Sequence, residues 1–159
     1  MKKYKNHSLA QYLDVLSQKT PTPGGGSVSA LAGACGAGLL SMVTNYSLGK
    51  GQPAIVERKL KSILKQAEKL RKRFLELVDL DAEAYEKVVK VRKGTKLQKK
   101  SAQAAARKIP MEVRRLSYQG VESALFLARY GNKYLVSDVS VATDMLLAAY
   151  NGSTALLDS

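Results

Sequence analysis

Thr20-Pro21-Thr22-Pro23-Gly24-Gly25-Gly26-Ser27-Val28-Ser29-Ala30-Leu31 opens a stretch with no charged residue from Thr20 to Gly49. Its first seven residues are punctuation, because Pro and Gly break regular structure most strongly. From Ser27 to about Leu48 the pattern reads as one helix. Val28, Leu31, Leu39, Leu40, Met42 and Val43 stand among many Ala, Gly and Ser. Its length suits a membrane span. Few large aliphatics and many Gly and Ser would make insertion weak, so a helix buried on all sides in a bundle is expected. Two rows of small residues, Ser29/Gly33/Ala37/Ser41 and Ala30/Ala34/Gly38, recur every fourth residue. Such rows let neighbouring backbones approach, line a cavity or form a subunit interface.

Upstream, Leu9, Tyr12, Leu13 and Leu16 have helical spacing and predict a short first helix. Downstream, Gly49-Lys50-Gly51-Gln52-Pro53 is a break, and Pro53 suits the first position of a new helix. That helix is expected to run to about Val91, with an apolar stripe of Leu60, Leu64, Ala67, Leu70, Phe74, Leu77, Ala84, Val88 and Val91. Arg92 to Lys100 reads as a basic connector and Ser101 to Arg107 as a helical turn. Pro110 is expected to open the next helix, carrying Val113, Leu116, Gly120, Ala124 and Leu127, which Gly131 ends. Ser137 or Asp138 would cap a last helix with Val139, Ala142, Leu146 and Ala149. No strand alternation persists and no repeat is visible. The expected fold is all-α: one domain over residues 1–159, a bundle of about five helices around a long central one.

A chain of 159 residues, 45% hydrophobic and 25% charged, is one ordinary globular domain. Aromatics are 6%, so the core must be aliphatic and Ala-rich. The net charge of +13 favours anionic partners. Nucleic acid, an acidic membrane surface and an anionic small molecule all fit. One cysteine, Cys35, and one histidine, His7, are too few for an internal disulfide or a structural zinc site. The leader Met1-Lys2-Lys3-Tyr4-Lys5 has no signal-peptide apolar core, so a cytoplasmic location is expected.

Three places could carry chemistry. Gly24, Gly25, Gly26 and Ser27 precede or open a helix, where uncovered amides and the helix dipole can hold an anion or a carbonyl oxygen. A flexible turn with Ser27 as N-cap explains them equally well. Asp81 interrupts the apolar stripe. Facing inward, its carboxylate should be desolvated and suited to proton transfer, unless it serves a buried hydrogen bond or ion pair. Asp79 is expected on the wet side with Glu83 and Glu86. Ser137 and Asp138 form the third candidate, with plain capping as the alternative. The Lys and Arg run from Arg58 to Lys100 is a solvated face or a polyanion site. His7 reads as a bystander near the terminus and Cys35 as a small core residue.

The Thr20-to-Leu31 run closely resembles the cyclodeaminase domain of formiminotransferase-cyclodeaminase, a family that also holds methenyltetrahydrofolate cyclohydrolases. Leu80-Asp81-Ala82-Glu83-Ala84-Tyr85, Ile109-Pro110-Met111-Glu112-Val113 and Gly131-Asn132 through Ala142 resemble its later segments in order. The resemblance implies an all-helical, dimeric, cytoplasmic protein with folate held among helices. It implies closure of 5-formimino-tetrahydrofolate to 5,10-methenyl-tetrahydrofolate with loss of ammonia. Alternatives are hydrolysis of the methenyl bridge, a non-catalytic folate-binding homologue, and a basic nucleic-acid-binding module. On the first reading Asp81 moves the proton. Gly24, Gly25, Gly26 and Ser27 hold the pterin or a reacting group, Ser137 and Asp138 bind the pterin, and Lys and Arg meet a glutamate or polyglutamate tail. No metal or redox cofactor is expected beyond tetrahydrofolate as substrate. The resemblance implies further helical sequence, which members of the family usually carry, beyond the segment Thr154–Ser159, and the formiminotransferase domain is not expected within these residues.

Overall fold

The computed structural model describes residues 3–158. Met1, Lys2 and Ser159, which belong to the leader and the terminal segment read above, lie outside them. Five α-helices follow a 3-10 turn at Tyr4–Asn6: α1 Leu9–Leu16, α2 Gly25–Ser47, α3 Ala54–Lys90, α4 Lys96–Tyr130 and α5 Val136–Asp158. Among the described residues there is no strand.

Helix α2 is the hub, packing against α3, α4 and α5. Its small residues make this possible. A Cβ on Gly33 would fall 2.6 Å from the Phe74 ring of α3, and one on Gly36 would fall 2.8 Å from Leu146 of α5. Phe74, Leu40, Leu60, Ile63, Leu77, Leu127 and Leu146 are the largest fully buried side chains. Burying each such group stabilises the fold by about 1.5–3 kcal/mol. The helix is not covered all round, however. Val28, Cys35 and Tyr46 are exposed on one face, so Cys35 is a surface thiol, not a core residue. Gly49 and Gly51, at φ 70° and 79°, turn the chain from α2 into α3. Pro53 is the N-cap residue of α3, just outside the first helical position.

Two further helix starts differ from the sequence expectation, besides α2, which begins at Gly25 instead of Ser27. Helix α4 starts at Lys96, because Thr95 and Gln98 form a capping box: each side chain bonds the other's backbone N–H. The part of the basic connector from Lys96 on and the separate turn are therefore one helix, Arg92 to Thr95 alone remaining a connector, and Pro110 lies inside the helix. Pro110 has no N–H to donate, so it leaves the Ala106 carbonyl without its regular helical partner. Helix α5 begins at Val136 after a 3-10 turn at Lys133–Leu135, so Ser137 and Asp138 lie in its first turn and cap nothing. The lead-in is held by Asn132, whose side-chain oxygen accepts the Tyr134 N–H at 3.0 Å.

The α3 stripe is buried as far as Leu77, Val78 and Ala82. From Glu83 on α3 to Ile109 on α4 no residue is buried. Those segments form a two-helix arm with open grooves between its helices. Arg73 holds the base of the arm, donating to Glu112 through Nε at 2.8 Å and Nη2 at 2.9 Å.

Candidate active site

Asp81 lies on α3 where the arm leaves the body, and α2 begins beside it. Gly24 is the N-cap residue of α2 and supplies no side-chain cap. The first amides of the helix therefore lack helical acceptors. The Asp81 carboxylate fills this opening. A Cβ on Gly26 would collide with Asp81 Oδ1, so only glycine admits the carboxylate there. The Ser27 amide beside it favours the ionised form, but burial dominates and pushes the Asp81 pKa above its ordinary value of 3.8. Such a group is poised for proton transfer.

One face of Asp81 opens into a cavity of about 590 Å³. Ala84, Tyr85 and Val88 of α3 form one wall, Lys100, Gln103, Arg107 and Pro110 of α4 the other, and Leu156 of α5 the end. The chamber combines apolar sides, one carboxylate and two cations. Ala106 also lines it, on the turn where Pro110 interrupts the helical bonding. A smaller cavity shares Val88 and Gln103 and adds Arg92 and Lys99, so the groove continues along the arm towards positive charge. A larger cavity of about 680 Å³ lies between Leu80, Val91, Leu97 and Ile109. It lacks Asp81, so the chemistry points to the chamber of about 590 Å³.

The predicted residues separate. Asp81, Gly25 and Gly26 meet at this opening: Gly26 through the carboxylate, Gly25 through Leu156, which lies 3.9 Å from a Cβ placed there. Gly24 stands just before them with nothing within 4 Å of a Cβ. Ser27 is neither an N-cap nor a group facing the cavity. It is fully buried in the first turn of α2, and its hydroxyl meets Tyr12 Oη at 2.9 Å. Ser137 and Asp138 lie elsewhere. Helix α5 runs antiparallel to α2, with Asn132 N–H on Ser47 Oγ at one end and Leu156 near Gly25 at the other. The 18 residues from Asp138 to Leu156 span about 27 Å at 1.5 Å per residue, so in one protomer Ser137 and Asp138 do not share the Asp81 site.

Asp79 corrects a second expectation. It is 4% exposed, and its Oδ1 accepts the Lys5 N–H at 3.2 Å. The 3-10 turn at Tyr4–Asn6 folds over this side of α3 and covers it, a contact 74 residues apart in sequence. His7 sits in the same strap, edge-on to Tyr4. Sequence reasoning also missed Tyr12, Tyr85, Gln103 and Arg107. Only Tyr12 left a signal: a polar-ended aromatic in a stripe otherwise made of leucines.

Residues 8–158 match the family model described as Formiminotransferase-cyclodeaminase. The chain is 33% identical to a methenyltetrahydrofolate cyclohydrolase of Methylorubrum extorquens strain AM1, over 92% of this chain and 74% of that protein. It is 28% identical to the formimidoyltransferase-cyclodeaminase of Rattus norvegicus, over 87% of this chain but 28% of that much longer protein. The structure superposes on the crystal structure of formiminotetrahydrofolate cyclodeaminase from Thermotoga maritima with a TM-score of 0.92, at 31% identity, covering 96% of this chain and 77% of that one. An all-helical bundle built on the glycine run, matched over nearly its whole length in sequence and in shape, belongs to the formiminotransferase-cyclodeaminase family.

Proposed function

We propose that the protein is a folate enzyme that closes 5-formimino-tetrahydrofolate to 5,10-methenyl-tetrahydrofolate, with Asp81 carrying the proton. The observation behind this reading is the Asp81 carboxylate, desolvated and seated on the start of α2, at the end of a chamber open to a ligand. Starting from the protonated formimino group, N10 attacks its carbon and forms the N10–C bond as the C=N π pair moves onto the formimino nitrogen. Asp81 takes the N10 proton and delivers it to the departing nitrogen. The bond from the carbon to that protonated nitrogen breaks, ammonia leaves, and the positive charge stays on the N5–CH–N10 methenyl bridge beside the carboxylate. Gly26 receives the carboxylate, and neither it nor Gly25 lines the chamber, so the glycine run serves Asp81 and not the ligand directly. Lys100 and Arg107 attract the glutamate carboxylate, and the groove to Arg92 and Lys99 suits further glutamates.

The relative in Methylorubrum supports a second reaction at the same centre, with water attacking the methenyl carbon and Asp81 taking its proton. Absorbance of the methenyl chromophore separates the two. A rise with the formimino substrate above the uncatalysed rate indicates the cyclodeaminase. A fall with the methenyl form alone indicates the cyclohydrolase. Silence in both, with folate still bound, would leave a binding protein.

The uncharged exposed face of α2, beside an α5 that carries no Lys or Arg, supports a homodimer formed there. Elsewhere the surface of a +13 chain repels its own copies.

A further inference from the structure

The first turn of α2 is held from behind. Ser27 has no exposed surface, and Tyr12 is the hydrogen-bond partner of its hydroxyl. Tyr12 is also the one buried residue of α1. Leu9 and Leu13 of the same helix are 74% and 58% exposed. The helix is thus docked by a tyrosine that ends on Ser27, not by its leucines. Tyr4 packs edge-on against Tyr12, with ring centroids 6.3 Å apart, and its hydroxyl donates to the Thr22 carbonyl at 3.0 Å. The two tyrosines grip the glycine run on both sides, at Thr22 and at Ser27.

We propose that Tyr12 is a positioning residue for Asp81: by holding Ser27 Oγ, its hydroxyl fixes the first turn of α2 so that the Ser27 amide and side-chain-free Gly26 receive the carboxylate. This deepens the reading of Asp81 as the proton carrier and rests on it. Tyr12 does not line the substrate chamber, so it acts on the carboxylate and not on the ligand. The groups around Asp81 are Tyr12 of α1, the Ser27 amide of α2, Tyr85 on its own helix, and Lys100 and Arg107 of α4. Of these, the Ser27 amide is the one whose place depends on the Tyr12 hydroxyl. A slackened amide bond stabilises the ionised carboxylate less, so Asp81 should hold its proton to higher pH.

The test uses the full chain with 13C-labelled aspartate. The Asp81 carboxyl resonance is titrated by NMR in wild type, Tyr12→Phe, Ser27→Ala and the double variant, with circular dichroism confirming the fold. Both single variants are expected to move the Asp81 midpoint upward, and the double variant by no more than the larger single shift, because the two hydroxyls act as one unit. In the folate assay Tyr12→Phe should lower kcat about tenfold with KM unchanged. The titration needs no substrate. If wild type turned over no folate while the midpoints shifted, the folate reading would fail and the positioning role would stand. Unchanged midpoints in folded variants, or shifts that add in the double variant, would overturn it.

Discussion

The carboxylate of Asp81 occupies the volume that a side chain on Gly26 would fill. Two helices far apart in sequence thus share one small space, and a glycine on one is the condition for the carboxylate of the other to sit there.

Gly26→Ala should therefore displace Asp81 and lower kcat/KM by about 10²-fold, because small misplacements of a reacting group carry large penalties. Overpacking should also destabilise the fold by about 1–3 kcal/mol. Gly38→Ala is the control in the same helix, since its Cβ would lie 3.7 Å from Arg71 Cδ, an ordinary contact. Steady-state kinetics and thermal melts of the two variants check this. Equal activity in both would contradict the proposed packing.

Asp81→Asn keeps the shape and removes the proposed proton carrier. Turnover is expected to drop by about 10²–10⁴-fold with folate affinity retained, as read by kinetics and calorimetry. Stability should move the other way. Burial raises the Asp81 pKa, so the folded state binds this proton more tightly than the unfolded chain. That contribution is fully present below the unfolded value near 3.8 and is lost as the pH rises through the folded pKa. The melting temperature of the variant relative to wild type should thus improve as the pH climbs out of the acid range. A constant difference across that range would argue against the raised pKa.

Glu112 has the opposite sign. Hydrogen bonds from Arg73 hold its carboxyl below the usual value of 4.5. Its stabilising share is present above that unfolded value and is lost as the pH falls through the folded pKa. Both partners are partly exposed, so the pair is worth only about 0.2–1 kcal/mol. Glu112→Gln should lower stability near neutrality by that amount, and urea melts should show the gap closing in acid.

Replacing Arg92 and Lys99 by Gln should weaken binding of a polyglutamylated folate about three- to tenfold, and of the monoglutamate hardly at all. The difference should shrink with added salt. Calorimetry at two ionic strengths reads both effects. Equal losses for both ligands would remove the groove from the tail-binding path.

Cys35→Arg introduces a charge on the exposed face of α2, away from the Asp81 chamber. Sedimentation velocity is expected to show the wild type as a dimer and the variant as a monomer with an unchanged melt. A monomeric wild type at micromolar concentration would dismiss that interface.

Much of this molecule could be read along the chain, because the relevant physics is local. The Pro-Gly run, the charge-free Ala/Gly helix and the three-and-four spacing of Leu60 to Leu77 define a helical bundle, and an Asp in that stripe stands out by its neighbours alone. The Thr95–Gln98 capping box was equally local and marks where α4 truly begins. Other features depended on what lies across the fold. Asp79 and Asp81 differ by two residues, and sequence placed one wet and one dry. In the structure the strap at Tyr4–Asn6 buries Asp79, while Asp81 is half-buried against α2. Ser27 turned its hydroxyl to Tyr12 instead of to a ligand, and the antiparallel run of α5 carried Ser137 and Asp138 to the far end of the bundle. Burial and proximity are properties of packed elements, set by which helix lies beside which. The chain alone therefore determined the helices and the suspect carboxylate, and only the tertiary structure decided which glycine, amide and tyrosine surround it.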